Sequence, residues 1–178
     1  MAKSPEPDRL SRRSVMKAII AAGVGGVATT GTYSFFYARR NLEITRTTLV
    51  TSGLPEALSG LRIGLLTDLH RSLTVPREDI EKAVTAMMKE RPDLIVLGGD
   101  YVTWRDPQFV EDVADILAPL TAPHGVFAIL GNHDDERAMP AALTAQGFEV
   151  LMDARTRITV ARESLDLDGL RIWTRRTT

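Results

Sequence analysis

The chain has 178 residues, of which 44% are hydrophobic and 25% are charged, and its formal net charge is -1. A chain of this length can bury one medium-sized core, and its nearly balanced charge gives no indication of a nucleic-acid partner. The sequence contains no cysteine, which excludes disulfides, thiolate nucleophiles and zinc–thiolate sites.

The first 40 residues predict an export signal. Residues 11–17, Ser-Arg-Arg-Ser-Val-Met-Lys, resemble the twin-arginine signal, and residues 18–38 carry no charged side chain. A segment of that length can span a bilayer, and no clean small-x-small cleavage site follows it. An uncleaved membrane anchor and a cleaved, released protein are therefore equal alternatives. The resemblance implies the twin-arginine export machinery as a partner. It also implies a membrane-anchored or periplasmic location, across the bacterial inner membrane.

Residues 41–178 are predicted to form one domain in which strands and helices alternate. Strands are predicted at 42–50, 61–67, 93–99, 125–132 and 148–152, helices at 76–91, 106–120 and 139–147, and a hairpin or meander at 157–173. Strands that alternate with amphipathic helices favour an α/β fold with a mostly parallel sheet covered by helices.

Polar side chains follow three of these strands, at the point where each strand ends. In chain order they are Asp68 and His70, then Asp100, and then Asn132, His133 and Asp134. Parallel strands end on one side of their sheet, and ligands of α/β proteins bind beyond those carboxyl ends. The sequence therefore predicts that these side chains converge on one cleft.

The residue types in this cleft predict a metal centre. In an extended Asp-x-His segment, Asp68 and His70 point to the same side and can bind one cation. Carboxylate, imidazole and amide ligands suit Mn, Fe or Zn. A carboxylate shared by two ions, the role predicted for Asp100, would build a two-metal site that generates a hydroxide and clamps a phosphoryl group for in-line attack.

With these motifs, residues 42–173 resemble the calcineurin-like metallophosphoesterases, in particular their exported bacterial branch. The resemblance implies a sandwich of mixed sheets flanked by helices, after the N-terminal signal or anchor helix, and two divalent metal ions. It also implies a role for each motif residue. Asp68 and His70 bind the first ion, Asp100 bridges the two ions, and Asn132 binds the second. His133 contacts the phosphate and protonates the leaving oxygen, and Asp134 orients His133 or the substrate.

The chain departs from the family pattern after His133. The family continues with a Gly-His motif and a Gly-His-x-His motif, whereas this sequence has no histidine beyond His133, and His124 matches no family ligand. The second ion would keep only Asp100 and Asn132, which hold a catalytic ion poorly. We therefore expect a truncated or frameshifted N-terminal part of the fold, whose hydrolytic activity is in question.

Three functions remain open at this point. The first is a metal-dependent hydrolase of the cell envelope, acting on phosphodiesters, phosphomonoesters or pyrophosphates in a phosphorylated small molecule or a lipid-linked or cell-wall phosphate. The second is an inactive, truncated or metal-free exported phosphate-binding module. The third, a nucleotide-binding α/β protein, ranks last because no glycine-rich loop opens a helix after the first two strands.

Overall fold

The computed structural model describes residues 42–171. The predicted export signal at 11–17 and the uncharged segment at 18–38 lie outside that range, so the signal, the anchor and the predicted domain boundary after residue 40 stay predictions. Between residues 42 and 171, no helix has the length and apolar character needed to cross a membrane.

Four short strands form a parallel sheet, with helices on the connections between them. The strands lie in the order β1-β2-β3-β4, and each pairs in parallel with its neighbour. The elements are β1 (Ile63–Leu66), α1 (Arg77–Lys89), β2 (Leu94–Leu97), α2 (Val110–Leu117), β3 (Val126–Ala128), α3 (Ala138–Ala145) and β4 (Glu149–Val150). The predicted α/β class with a mostly parallel sheet is confirmed.

The core lies where the helices pack on β2 and β3. Leu94, Ile95 and Leu97 of β2 are fully buried, as expected of a parallel strand that is covered on both faces. α2 buries an apolar stripe that includes Val113 and Leu117 against this layer. β1 is an edge strand in the described part of the sheet, and one of its faces is exposed.

A separate antiparallel pair follows the parallel sheet. β5 (Ala154–Val160) and β6 (Glu163–Gly169) pair along their whole length. Two cross-strand ion pairs lie on one face, Arg155 with Asp168 and Arg157 with Asp166. The hairpin or meander predicted at 157–173 is a hairpin that starts and ends earlier, and residues 172 and 173 lie outside the described range. The parallel sheet, the antiparallel pair and the flanking helices fit the predicted metallophosphoesterase-type fold.

The strand predicted at 42–50 is wrong. These residues are exposed and belong to no strand. No segment among the described residues pairs with them, and an extended segment becomes a strand only where another segment pairs with it, whatever the alternation of its side chains. Instead, the Arg46 guanidinium forms a bidentate ion pair with Glu90 just after α1, at 2.7 and 2.8 Å.

Candidate metal centre

The loops that leave β1 and β2 lie side by side at the carboxyl end of the sheet. The Asp68 N–H donates to the Gly99 carbonyl at 3.0 Å, and the His70 N–H donates to the Asp100 carbonyl at 2.9 Å. These bonds continue the parallel pairing beyond the ends of the strands. The predicted convergence of the first two strand ends is therefore present in the backbone itself.

Asp68, His70 and Asp100 form a compact group of candidate metal ligands. One ligand atom from each lies within 4.8 Å of the others. The His70 Nε2 is 3.8 Å from Asp68 Oδ1 and 4.0 Å from Asp100 Oδ2. Two carboxylates and one imidazole at this spacing fit a divalent cation such as Mn, Fe or Zn.

The backbone places these three residues in an unusual way. Asp68, His70 and Asp100 have φ values of 56°, 48° and 54°, in the left-handed region that non-glycine residues rarely adopt. The extended backbone expected at Asp68 and His70 is therefore wrong, although their side chains lie close together as expected, with His70 Nε2 3.8 Å from Asp68 Oδ1. Such conformations persist where the surrounding structure determines them, and they concentrate at functional sites.

Two glycines allow the loop after β2 to touch the loop after β3. Gly99 has φ of 89°, and a Cβ atom there would overlap the backbone of Gly131. A Cβ atom on Gly131 would overlap Asp100 in turn. The glycines before Asp100 and Asn132 thus serve the close approach that their positions in the sequence predicted.

His133 lies in the loop after β3, against the candidate ligands. Its backbone N–H donates to Asp100 Oδ1 at 2.9 Å, and its ring meets the His70 ring edge-to-face with centroids 4.9 Å apart. The Trp104 backbone N–H donates to His133 Nδ1 at 3.1 Å. Because Nδ1 is an acceptor, a neutral His133 ring carries its proton on Nε2.

Asp134 is buried beneath these loops, with 1% of its surface exposed. Its Oδ2 accepts hydrogen bonds from the Asp100 and Gly131 N–H groups at 2.8 and 2.9 Å, and its Oδ1 accepts from Tyr101 and Val102 at 2.8 and 3.4 Å. Burial raises the pKa of the Asp134 carboxyl, while the backbone N–H groups act to lower it. This geometry makes it a clamp between two loops, and its predicted catalytic role stays a prediction.

The remaining polar residues near the strand ends differ in position. Asn132 is exposed, between Gly131 and His133, and its assignment as a ligand of a second ion stays a prediction. His124 lies before β3, where its N–H donates to the Asp93 carbonyl, at the opposite end of the strand from the candidate ligands. It therefore takes no part in the group.

Trp104 is a neighbour of the site that the sequence did not identify. The residue is 82% exposed, and the centroid of its indole lies 5.0 Å from that of the His133 ring. In the sequence it follows Asp100 by four residues, in a loop with no regular spacing. Only its position after a strand end could have drawn attention to it.

Comparison with known proteins assigns this arrangement to a family. The sequence profile of the calcineurin-like phosphoesterases matches residues 61–170, which include every candidate ligand and His133. No solved structure matches the chain significantly.

Several curated proteins are similar to the chain. The uncharacterized metallophosphoesterase YkuE of Bacillus subtilis is 29% identical over 86% of this chain and 56% of its own length. The phosphodiesterase YaeI of Escherichia coli is 33% identical over 61% of this chain and 42% of its own length. The UDP-2,3-diacylglucosamine pyrophosphatase LpxG of Chlamydia trachomatis is 35% identical over 52% of this chain and 29% of its own length. The chain spans about half the length of the first two relatives.

Proposed function

The chain belongs to the calcineurin-like phosphoesterase family, and we propose that it is a metal-dependent hydrolase of phosphate esters. The observation that carries this proposal is the group formed by Asp68, His70 and Asp100, whose ligand atoms lie within 4.8 Å of one another. Their chemistry fits a first divalent ion. For a second ion, Asp100 would be the shared ligand and Asn132 the further one.

The chain's own residues suit the hydrolysis of a phosphate ester. The chemistry that divalent ions supply when bound is a nucleophilic water at neutral pH and positive charge beside the phosphoryl oxygens. The bond between phosphorus and the leaving oxygen then breaks, and that oxygen must receive a proton. His133 can donate it from Nε2 as an imidazolium, and in the neutral ring that is left the Nδ1 atom accepts the Trp104 N–H, which orients the imidazole.

The hydrogen bond between His133 and Asp100 couples the proton donor to the candidate bridging ligand. The His133 backbone N–H binds Asp100 Oδ1, so that the loop after β3 is fixed on the carboxylate that would face the ions. A catalytic group positioned in advance contributes to the rate because it need not be ordered during the reaction.

We propose a phosphodiester or a pyrophosphate as the substrate class, with a phosphomonoester as a further option. The printed activities of two relatives, a phosphodiesterase and a UDP-2,3-diacylglucosamine pyrophosphatase, support this range. The pattern at residues 11–17 supports a place at the cell envelope, where a lipid-linked or cell-wall phosphate would be the substrate. Export by the twin-arginine machinery and membrane anchoring belong to the same proposal.

The test is hydrolysis of bis-p-nitrophenyl phosphate by the full chain, stripped of metal with EDTA and reloaded with Mn²⁺. We expect turnover only after reloading. We expect His133→Asn to lower kcat by about 100-fold or more, because asparagine can still accept the Trp104 N–H but cannot donate an imidazole proton. Glu163→Gln, on the exposed start of β6, is the matched control and should keep the wild-type rate.

A second candidate function is phosphate binding without hydrolysis. It is favoured by the two ligands that the described residues offer to a second ion, the shared Asp100 and Asn132, because two protein ligands hold a catalytic ion poorly. Two bound ions together with turnover that depends on His133 would support the enzyme. One ion or none, phosphate binding and no turnover would support the binding module.

A further inference from the structure

Trp104 ends a row of three rings that runs from the candidate metal centre to the surface. The His70 and His133 rings meet at 4.9 Å, and the His133 and Trp104 rings meet at 5.0 Å with an interplanar angle of 62°. Trp104 is 82% exposed, although tryptophan is highly buried on average. A large aromatic surface therefore faces solvent beside the group that would protonate the leaving oxygen.

The backbone fixes the position from which this indole projects. Trp104 and Arg105 have φ values of 55° and 57°, and two successive non-glycine residues in the left-handed region are unfavourable. Two hydrogen bonds hold them there: the Trp104 N–H donates to His133 Nδ1 at 3.1 Å, and the Arg105 N–H donates to the His133 carbonyl at 2.8 Å. The backbone of Trp104 and Arg105 is thus tied to His133 at two points.

This arrangement relates the indole to the leaving group of the ester. The leaving oxygen must come within hydrogen-bonding distance of His133 to receive its proton. The group attached to that oxygen then lies within reach of an indole whose centroid is 5.0 Å from the His133 ring. Aromatic rings interact favourably at centroid distances of about 4.5–7 Å, and a flat indole face suits a planar ring better than a flexible chain.

We propose that Trp104 determines substrate specificity by stacking on a planar ring, aryl or nucleobase, in the leaving group. The inference rests on the proposed function, because the role of His133 defines where the leaving group lies. Stacking of this kind selects among phosphate esters without adding to the metal ligands. Trp104 is therefore a binding residue in this proposal, and its backbone N–H separately positions His133.

The test compares two non-hydrolysable ligands that share a head group, phenylphosphonate and methylphosphonate. Calorimetric titration of the Mn²⁺-loaded full chain should give an affinity for phenylphosphonate about 3- to 10-fold higher. The sequence has two tryptophans. In a Trp173→Phe background, the emission of Trp104 should therefore change with phenylphosphonate more than with methylphosphonate, a readout that is independent of turnover.

Three substitutions of Trp104 separate stacking from general apolar contact. Trp104→Ala should abolish the preference for phenylphosphonate, and Trp104→Phe should keep most of it. Trp104→Leu keeps apolar bulk without a ring and should lose it. A preference that survives in Trp104→Ala, or that is as large in Trp104→Leu as in Trp104→Phe, would overturn the proposal.

The same titrations distinguish a failure of the stacking role of Trp104 from a failure of the proposed function. If both phosphonates bind the wild-type chain with equal affinity, the stacking role of Trp104 is overturned while the proposed function stands. If neither binds after Mn²⁺ loading, the proposed function fails, and the role of Trp104 fails with it.

Discussion

At the scale of single residues, Asp134 stabilises the two loops that carry the candidate site. Its two oxygens accept four backbone N–H groups that belong to the loops after β2 and β3. A buried carboxylate with all these partners stabilises the loops, whereas a donor in its place would face other donors. The position of Asp100, whose own N–H is one of the four, depends on this clamp.

We predict that Asp134→Asn lowers the free energy of unfolding by about 2–3 kcal/mol. The asparagine NH₂ group would replace one oxygen and meet two backbone N–H groups that now lack an acceptor. Urea denaturation near pH 7 measures the change. Asp166→Asn, which removes an exposed ion pair with Arg157, is the control and should have a smaller effect. Equal effects of the two substitutions would contradict the clamp.

The ligand residues could be predicted from the sequence, but their conformations could not. Asp68, His70 and Asp100 were identifiable because each follows an apolar run that ends a strand. Their left-handed φ values depend on contacts between neighbouring loops, which no local pattern encodes. The exposure of Trp104 and the burial of Asp134 also depend on tertiary contacts, and neither could therefore be predicted from the sequence.

At the scale of elements, the start of α3 depends on Asp135. Its Oδ1 accepts hydrogen bonds from the N–H groups of Arg137, just before α3, and of Ala138, its first residue, at 2.9 and 2.7 Å. The Ala138 N–H is one of the donors that the first turn of a helix leaves without a partner in the helix. These bonds, first that from Ala138, lower the pKa of the Asp135 carboxyl below its ordinary value. α3 follows the loop that carries His133, so this cap also defines where that loop ends.

We predict that Asp135→Ala lowers the free energy of unfolding by about 1 kcal/mol near pH 7. Because the pKa of Asp135 is lower in the folded chain, its contribution is complete well above 3.8 and is lost as the pH falls through the folded value. Urea denaturation of both proteins near pH 7 and near pH 3 should show the difference shrink in acid. Glu163→Ala, which removes an exposed carboxylate that begins no helix, should show no such trend.

A difference between the wild type and Asp135→Ala that stays constant or grows in acid would contradict the cap. In that case the effect of Asp135→Ala would come from a source other than the ionised carboxylate.

Helices were easier to predict from this sequence than strands. The helix predicted at 76–91 is α1, at Arg77–Lys89, because its apolar spacing and the proline that follows it are local signals. The strand predicted at 125–132 shrinks to Val126–Ala128, since the residues after it turn to contact neighbouring loops. Residues 42–50 show the same limit, because no sequence pattern reveals whether a pairing partner exists.

At the scale of the whole molecule, the parallel topology turns separate motifs into one site. Three strands in the order β1-β2-β3 bring their carboxyl ends together, although Asp68 and His133 are far apart in the sequence. Alternating strands and helices were enough to predict this, because parallel neighbours need a crossover connection. The pairing of β5 with β6 as a sheet of its own depends on packing and could be predicted only as a hairpin.

The most direct test of the account is a calorimetric titration of the metal-stripped full chain with Mn²⁺. We expect at least one ion to bind each chain, and we expect Asp100→Asn to weaken binding by at least about 10-fold, with Glu163→Gln binding like the wild type. The reason is that a carboxylate oxygen of Asp100 lies within 4.8 Å of the candidate ligand atoms of both Asp68 and His70. A chain that binds no Mn²⁺, or an Asp100→Asn variant that binds it as tightly as the wild type, would contradict the metal centre.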